Sequence, residues 1–272
     1  YFSMDETQIE NKITEKTKAI IAVHLQGQMC DIEKIKTICD KHHLYLIEDC
    51  AQSHFSEFKS KRAGLFGIAG SFSFYPGKNL GAYGDAGCII TNDDALADKC
   101  KMYARHGALI KHEHEVEGIN SRMDGLQAAI LSAKLPYILE WTEKRISNAS
   151  LYNKYLADID EIILPQIRPE TKHTYHLYVI RAQKRNELMQ YLKSKGIETA
   201  LHYPKVLPNL PAYKYLNHKP SDFPVAIQLE KEILSLPMYP EMTEEMISYV
   251  ADAIKSFMKN NYAKKYNADA VQ

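Results

Sequence analysis

No surplus of either charge marks this chain. Its 34 lysines and arginines balance 34 aspartates and glutamates, which removes any sequence-wide attraction to nucleic acid or to an anionic membrane surface. No apolar run approaches the roughly 20 residues that a membrane-spanning helix needs. The N-terminal residues also lack the basic-then-apolar layout of a secretory signal. Cysteine is sparse: Cys30, Cys39, Cys50, Cys88 and Cys100 are an odd number with no Cys-x-x-Cys spacing. That argues against a disulfide scaffold and against a zinc site, and it predicts a reducing, cytoplasmic setting. His112-Glu113-His114 lacks the helical spacing of a zinc hydrolase and sits among charged residues, so it reads as a solvated loop and no metal is expected. Nucleotide fingerprints are missing too. No Gly-x-Gly-x-x-Gly follows a strand, and Gly77-Lys78 is followed by Asn79 rather than by the Ser or Thr of a phosphate-binding loop.

What the chain does have is length. Its 272 residues suffice for one large domain or two ordinary ones with a substantial core. Ser3-Met4-Asp5-Glu6 has the form of a capping box and predicts a short helix through about Lys12. Lys18–Val23 is apolar on both alternating faces, as in a strand covered on two sides. Asp31 can cap a helix that carries Ile32, Ile35, Ile38 and Cys39 on one face, and Leu44–Ile47 follows as the next strand. Strand, helix, strand with short joints is a βαβ unit, which implies a parallel sheet. Short strands are expected near Gly70–Phe74 and Gly87–Thr91, then a helix from about Asp93 to Tyr103. A long helical pattern runs from Asp124 to about Ile159 and is interrupted at Pro136. Beyond it the style changes. A strand is expected at His176–Ile180, a helix at Lys184–Lys195 stopped by Gly196, and a strand at Glu198–His202. A proline-rich loop over Tyr203–Pro224 leads to helices near Val225–Leu234 and Thr243–Met258. The expected organisation is an α/β domain with a mostly parallel sheet over residues 1–150 and a smaller α+β domain over residues 151–272.

The most informative stretch is Ser71-Phe-Ser-Phe-Tyr-Pro-Gly-Lys78-Asn-Leu-Gly-Ala-Tyr-Gly-Asp-Ala-Gly87. It holds one lysine among hydroxyl, aromatic and glycine residues, just after an expected strand. A lysine so placed can be partly desolvated, which lowers its pKa and frees the amine to attack a carbonyl. Upstream, the apolar run Leu44–Ile47 ends in Glu48-Asp49, which puts a carboxylate at the strand edge where open α/β sheets bind ligands. An acid at one strand end and a lysine in a later loop are what a pyridoxal phosphate site requires: an amine for the aldehyde and an anion against the ring nitrogen. Taken singly, each residue has a plainer and preferred reading, Asp49 as an aspartate opening a loop and Lys78 as a glycine-flanked surface lysine.

Several motifs together overturn those plainer readings. They are Glu48-Asp49-Cys-Ala-Gln52-Ser-His54, Gly70-Ser-Phe-Ser73-Phe-Tyr-Pro-Gly-Lys78-Asn79-Leu-Gly81, Tyr83-Gly-Asp85-Ala-Gly87 and Asn120-Ser-Arg122-Met-Asp124-Gly-Leu-Gln127. Gly196-Ile-Glu-Thr-Ala-Leu-His202-Tyr203-Pro204 and Leu234-Ser-Leu-Pro237-Met-Tyr239-Pro240 follow. In order, and over nearly the whole chain, they resemble the motifs of the DegT/DnrJ/EryC1/StrS sugar aminotransferases. The resemblance implies a fold-type I, pyridoxal 5'-phosphate-dependent transferase that works as a homodimer with a shared active site. By position, it implies that Lys78 joins the cofactor covalently, that Asp49 pairs with its pyridinium, and that Gln52 sits by its phenolic oxygen. It implies that the Ser73 hydroxyl donates a charge-assisted hydrogen bond to the phosphate, and that Asn120 reaches that phosphate from the neighbouring subunit. Arg122 would lie near the substrate diphosphate, and His202 and Tyr203 match positions that contact the nucleotide sugar. The structural alternative for these last three is an interface arginine and a buried strand end.

The resemblance carries further expectations. The family's N-terminal portion, with a helix start for the phosphate and an aromatic that stacks on the ring, has no counterpart here. The N-terminal part of the large domain is therefore expected to be missing, and this stretch alone to bind the cofactor weakly. Gly77 stands where many relatives carry threonine. Lysine at 78, where dehydratase relatives carry histidine, favours amino transfer, with glutamate as donor and a dTDP- or UDP-linked keto sugar as acceptor. The loop His202–Tyr213 is similar to that of members that aminate C3 of a deoxyhexose or an N-acetyl hexuronate, so a 3-oxo sugar is expected and C4 amination is the alternative. A non-catalytic, regulatory or merely dimerising relative would be marked by loss of Lys78 or Asp49, and both are present. A desulfurase-like lyase would want a mobile reactive cysteine, whereas Cys50 and Cys88 sit in contexts that suit buried thiols.

Overall fold

The computed structural model describes residues 1–269, with side chains through residue 261. Strand β1 (Ala19–Val23) leads to helix α1 (Ile32–Lys41), which starts where Asp31 Oδ1 accepts the Lys34 amide, and then to β2 (Tyr45–Asp49). A small hairpin of β3 (Glu57–Phe58) and β4 (Lys61–Arg62) precedes β5 (Ala69–Ser73) and β6 (Gly87–Ile90). Helix α2 (Asp94–Tyr103) is capped by Asp93, whose Oδ1 accepts the Leu96 amide at 2.9 Å. Helices α3 (Gly125–Lys134) and α4 (Ile138–Leu156) are separated by the tight turn Leu135–Tyr137, which holds Pro136. Proline has no N–H to give and its ring crowds the carbonyl one turn back, so the α pattern breaks there. The chain continues through β7 (Ile162–Ile163), β8 (Thr171–Lys172), β9 (Tyr178–Ala182) and α5 (Arg185–Ser194). It finishes with α6 (Pro224–Glu232), β10 (Ile233–Leu236) and α7 (Glu244–Asp269).

These elements form two compact units. The first comprises Tyr1–Glu143 and Ile167–His176, and the second Lys144–Gln166 together with the chain from Leu177 onward. In the first unit the main sheet has the order β1-β2-β5-β6, with β1, β2 and β5 parallel and β6 antiparallel to β5. Helix α1 buries Ile32, Ile35 and Cys39 against Ile20, Ala22 and Leu46, and this apolar contact holds helix to sheet. The other face departs from the expectation of a strand covered on two sides: Ile21, Val23, Tyr45 and Ile89 are exposed. Successive strand residues point to opposite faces, and α1 covers only one of them. The expected N-terminal helix is instead two short 3-10 turns, Glu6–Gln8 and Glu10–Lys12, and the cap is Asp5 rather than Ser3. A second cluster joins Leu80 and Ala82, just past Lys78, to Leu131 and Ile138.

The same unit contains a close backbone crossing. Gly27 has φ +102°, and a Cβ there would lie 2.9 Å from both Thr174 Oγ1 and the Tyr175 nitrogen. Its carbonyl accepts the Thr174 amide at 2.9 Å and the Ser56 hydroxyl at 2.7 Å. Gly27→Ala is expected to destabilise the fold by about 2–4 kcal/mol, since it adds both strain and a clash. The reading is a lower denaturant midpoint at unchanged slope.

In the second unit β9 is central, antiparallel to both β10 and β7. Leu188 and Leu192 of α5 and Ile247, Val250 and Ile254 of α7 are buried, and Tyr152 of α4 stacks on Tyr178 of β9 with ring centroids 4.8 Å apart. Gly196, at φ +73°, lets the chain leave α5. Two expectations fail here. The strand expected over Glu198–His202 is a single bridge, Ala200 to Ser235, and the helix expected to reach Leu234 stops at Glu232 and gives way to β10. Ile233, Leu234, Ser235 and Leu236 are all buried, and a fully buried run carries no period by which to tell strand from helix. No helix among the described residues is long and apolar enough to cross a membrane.

Candidate active site

Asp49 ends β2, in register with Val23 of β1 and Ser71 of β5. Backbone bonds pin it from both sides: the His24 amide donates to its carbonyl at 3.0 Å, and the Cys50 amide donates to the Ser71 carbonyl at 2.8 Å. Its own Oδ1 accepts the Ala51 amide at 2.9 Å. The carboxylate is thereby fixed at the carboxyl edge of the parallel strands, where open α/β sheets hold ligands. Ser73 ends β5 opposite Gly87, and its Oγ accepts the Tyr75 amide at 3.3 Å. The chain then closes a turn in which the Lys78 amide donates to the Tyr75 carbonyl at 2.8 Å. Lys78 is half-buried. Burial pushes its amine below the ordinary lysine value, and the Asp49 carboxylate pulls the other way. An amine that sheds its proton more readily is a better nucleophile and base at neutral pH.

Gln52 is buried, with Oε1 accepting the Gln26 amide at 2.6 Å. His54, to which the sequence reading gave no role, lies between Phe72 and Phe74 with both ring centroids 5.6 Å away. Burial, with the Lys78 charge adding to it, lowers its pKa to about 4 against a weak pull from the Ser73 backbone, so the ring is neutral at pH 7. Neither of its nitrogens makes a well-formed hydrogen bond among the described residues, and Gln26 Nε2 and Ser53 Oγ are buried in the same state. Groups left like this cost stability, and three of them flank the strand end that carries Asp49.

The neighbour of Asp49 on the other face of β2 is a knot that sequence reasoning also missed. Glu48 is fully buried and accepts four bonds: from His24 Nε2 at 3.0 Å, and from the amides of Gly64 at 2.8 Å, Phe66 at 2.6 Å and Gly67 at 2.8 Å. His24 Nδ1 accepts the Cys30 amide at 3.2 Å, so its ring proton sits on Nε2 and faces Glu48. Burial works against the Glu48 charge, yet His24 and the Gly67 and Gly64 amides hold the carboxyl below its ordinary value. His24, Glu48 and Cys50 come within 4.8 Å of one another. With the carboxylate oxygens and both ring nitrogens already engaged, this cluster is a structural knot and not an ion site. Burial also pushes the thiols of Cys50 and Cys88 up, away from reactive thiolate. His112 and His114 lie exposed, as expected of a solvated loop.

A groove of about 1150 Å³ opens beside β5 and β6, lined by Ser73, Tyr75, Asp85, Asn120 and Arg122 among others. Asn120 bridges to Arg105 and accepts the Arg122 Nε at 3.1 Å on its Oδ1. Ser73, Asn120 and Arg122 thus share one groove within a single chain, while Lys78, Asp49 and Gln52 are not in its lining. His202 and Tyr203 belong to the second unit, where His202 Nδ1 lies 2.8 Å from Ser235 Oγ and Tyr203 is exposed.

The sequence pattern of the DegT/DnrJ/EryC1/StrS aminotransferase family matches residues 1–255. Over 261 residues the chain is 46% identical to the "Pleiotropic regulatory protein" of Geobacillus stearothermophilus, covering 95% of this chain and 70% of that one. Over 259 residues it is 41% identical to the dTDP-3-amino-3,6-dideoxy-alpha-D-galactopyranose transaminase of Aneurinibacillus thermoaerophilus, with coverage of 94% and 70%. The crystal structure of S. venezuelae DesV in complex with a ketimine intermediate matches with a TM-score of 0.92 at 35% identity, over 94% of this chain and 69% of that one.

Proposed function

This chain belongs to the DegT/DnrJ/EryC1/StrS aminotransferase family, whose cofactor is pyridoxal 5'-phosphate, and from that premise we propose that it moves an amino group from glutamate to the ketone of a nucleotide-linked sugar. The reaction leaves 2-oxoglutarate and an amino sugar. The donor set at the sheet edge fits the cofactor: a part-buried amine, a fixed carboxylate and a hydroxyl, with buried polar atoms nearby that make no well-formed hydrogen bond among the described residues. When bound, pyridoxal phosphate supplies an aldehyde that takes up amines and a ring that draws electrons from the carbon bearing the nitrogen. Lys78 brings the amine for that aldehyde. Its Nζ is also the base that takes a proton from the donor's carbon and the acid that returns it. Asp49 keeps a negative charge against the ring nitrogen, which holds a proton there. Gln52 would sit by the phenolic oxygen, Ser73 would donate to the phosphate, and Asn120 of the neighbouring subunit would add a second contact to it.

One observation carries this reading: an amine of lowered proton affinity acting across from a carboxylate at the carboxyl edge of a parallel sheet. On the substrate side, Arg122 takes the diphosphate, and His202 and Tyr203 take the nucleotide sugar. Where a division at residue 150 is expected, the first unit takes Tyr1–Glu143 together with Ile167–His176, and that unit holds the cofactor. The enzyme works as a cytoplasmic homodimer that shares its active sites. The ketone is at C3, a position supported by the His202–Tyr213 loop and by the 3-amino product in the name of the Aneurinibacillus relative. Assay of dTDP- and UDP-linked 3-oxo and 4-oxo sugars with glutamate tests this. Turnover of a 3-oxo sugar is expected, and exclusive use of the 4-oxo compounds would move the chemistry to C4. A second reading, a regulatory protein without catalysis, is favoured by names such as that of the Geobacillus relative, and the presence of both Lys78 and Asp49 weighs against it.

A further inference from the structure

The residue after Lys78 is tied to a distant piece of chain. Asn79 is buried although Tyr75, Pro76 and Gly77 just before it are exposed. Its Nδ2 donates to the Thr174 carbonyl at 3.1 Å, and its Oδ1 faces His176 Nδ1 at 3.2 Å. An amide oxygen only accepts, so His176 Nδ1 carries the proton of that bond. Thr174 is itself fixed. Its amide donates to the Gly27 carbonyl, and its hydroxyl lies 3.0 Å from Ser56 Oγ. Strand β8, just before it, pairs with β3. The segment Ile167–His176 therefore lies across the first unit as a strap, with Asn79 as its link to the lysine loop. Gly27 follows Gln26, whose amide holds Gln52, so the strap also braces a second residue of the candidate site.

We propose that Asn79 and His176 are positioning residues for Lys78: they clamp the lysine loop to the strap and keep the amine part-buried beside Asp49. The inference rests on the reading of Lys78 as the reacting amine. Its physical basis is simple. Before Lys78 the residues Tyr75, Pro76 and Gly77 are exposed, while after it the loop is held first at Asn79 by the strap and then at Leu80 and Ala82 by the second apolar cluster, so the hold nearest to the amine is Asn79. Both polar groups of that residue are engaged by the strap. The charged group that acts on Lys78 is Asp49, at the end of β2, and the Lys78 charge in turn acts on His54, five residues further on.

The test needs no turnover. In the cofactor-free, full-length protein, trace acetylation of Lys78 by acetic anhydride across pH, quantified by mass spectrometry, reads the fraction of free amine. Asn79→Ala removes both bonds, His176→Phe keeps a ring without the donor, and His176→Asn offers an amide N–H near the place of Nδ1. In Asn79→Ala and His176→Phe the midpoint is expected to rise by about one pH unit, a roughly tenfold loss of free amine at a given pH. His176→Asn should recover most of it, and the double variant should be no worse than Asn79→Ala alone. An unshifted midpoint in both single variants overturns the inference, as does a double variant whose effects simply add. If Asn79→Ala does not fold, the His176→Phe and His176→Asn pair decides by itself. A wild-type protein that carries its borohydride-reduced cofactor on another lysine would sink the proposed function instead, and the acetylation result would stand apart from it.

Discussion

Replacing Lys78 with alanine lowers amino transfer by at least about 10³-fold and removes the visible absorbance of the lysine-bound cofactor. The size follows from one side chain having two duties, covalent attachment and proton transfer, neither of which a neighbour can assume. His54 is held neutral and wedged between two phenylalanines, and Asp49 is fixed by the Ala51 amide. Lys78 is only half-buried, so the variant should keep its fold, with a thermal midpoint within a few degrees of the parent. Turnover that survived the substitution at more than a few per cent would remove Lys78 from the chemistry. A lysine analogue with sulfur in place of Cγ at this position, made by Lys78→Cys and alkylation with bromoethylamine, should return part of the rate.

Glu48→Leu is expected to have the largest effect on stability, a loss of about 3–5 kcal/mol. The substitution fits an apolar group into the space but strands the Gly64, Phe66 and Gly67 amides and His24 Nε2 without an acceptor. Glu48→Gln keeps the shape, yet its NH₂ must face an N–H donor, which costs about 1–3 kcal/mol. The pH dependence has a definite sign. The folded carboxyl sits below its ordinary value of 4.5, so the unfolded chain binds the proton first. The contribution of Glu48 is present above about pH 4.5 and fades as pH falls through the lower, folded value. Denaturant midpoints measured between pH 6 and pH 3 should drop steeply in the parent and less steeply in Glu48→Gln. Equal slopes would show that the knot does not govern acid stability.

Local signals in the sequence were readable where one physical cause dominates. Asp31 and Asp93 cap helices with their own oxygens, Pro136 breaks a helix by lacking a donor, and the apolar run before Asp49 becomes a strand that ends in the carboxylate. What stayed hidden depends on contacts between distant segments. Strand β10 is buried along its whole length, so its residues carry no period, and its identity comes from pairing with β9. Glu48 reads in sequence as one more acid beside Asp49, and only the return of the Gly64–Gly67 loop shows it to be a buried acceptor. The strap is the extreme case, since Asn79 and His176 are 97 residues apart. At the site, residue type and spacing could nominate Lys78 and Asp49 and a partly desolvated amine, but could not say that the Asp49 carboxylate opposes the effect of burial.

The most direct measurement is peptide mapping of the intact protein after loading with pyridoxal phosphate and reduction with borohydride. The account predicts the pyridoxyl mass on the peptide containing Lys78, and only there. A label on any other lysine, or none in a protein that is folded and saturated, would contradict it.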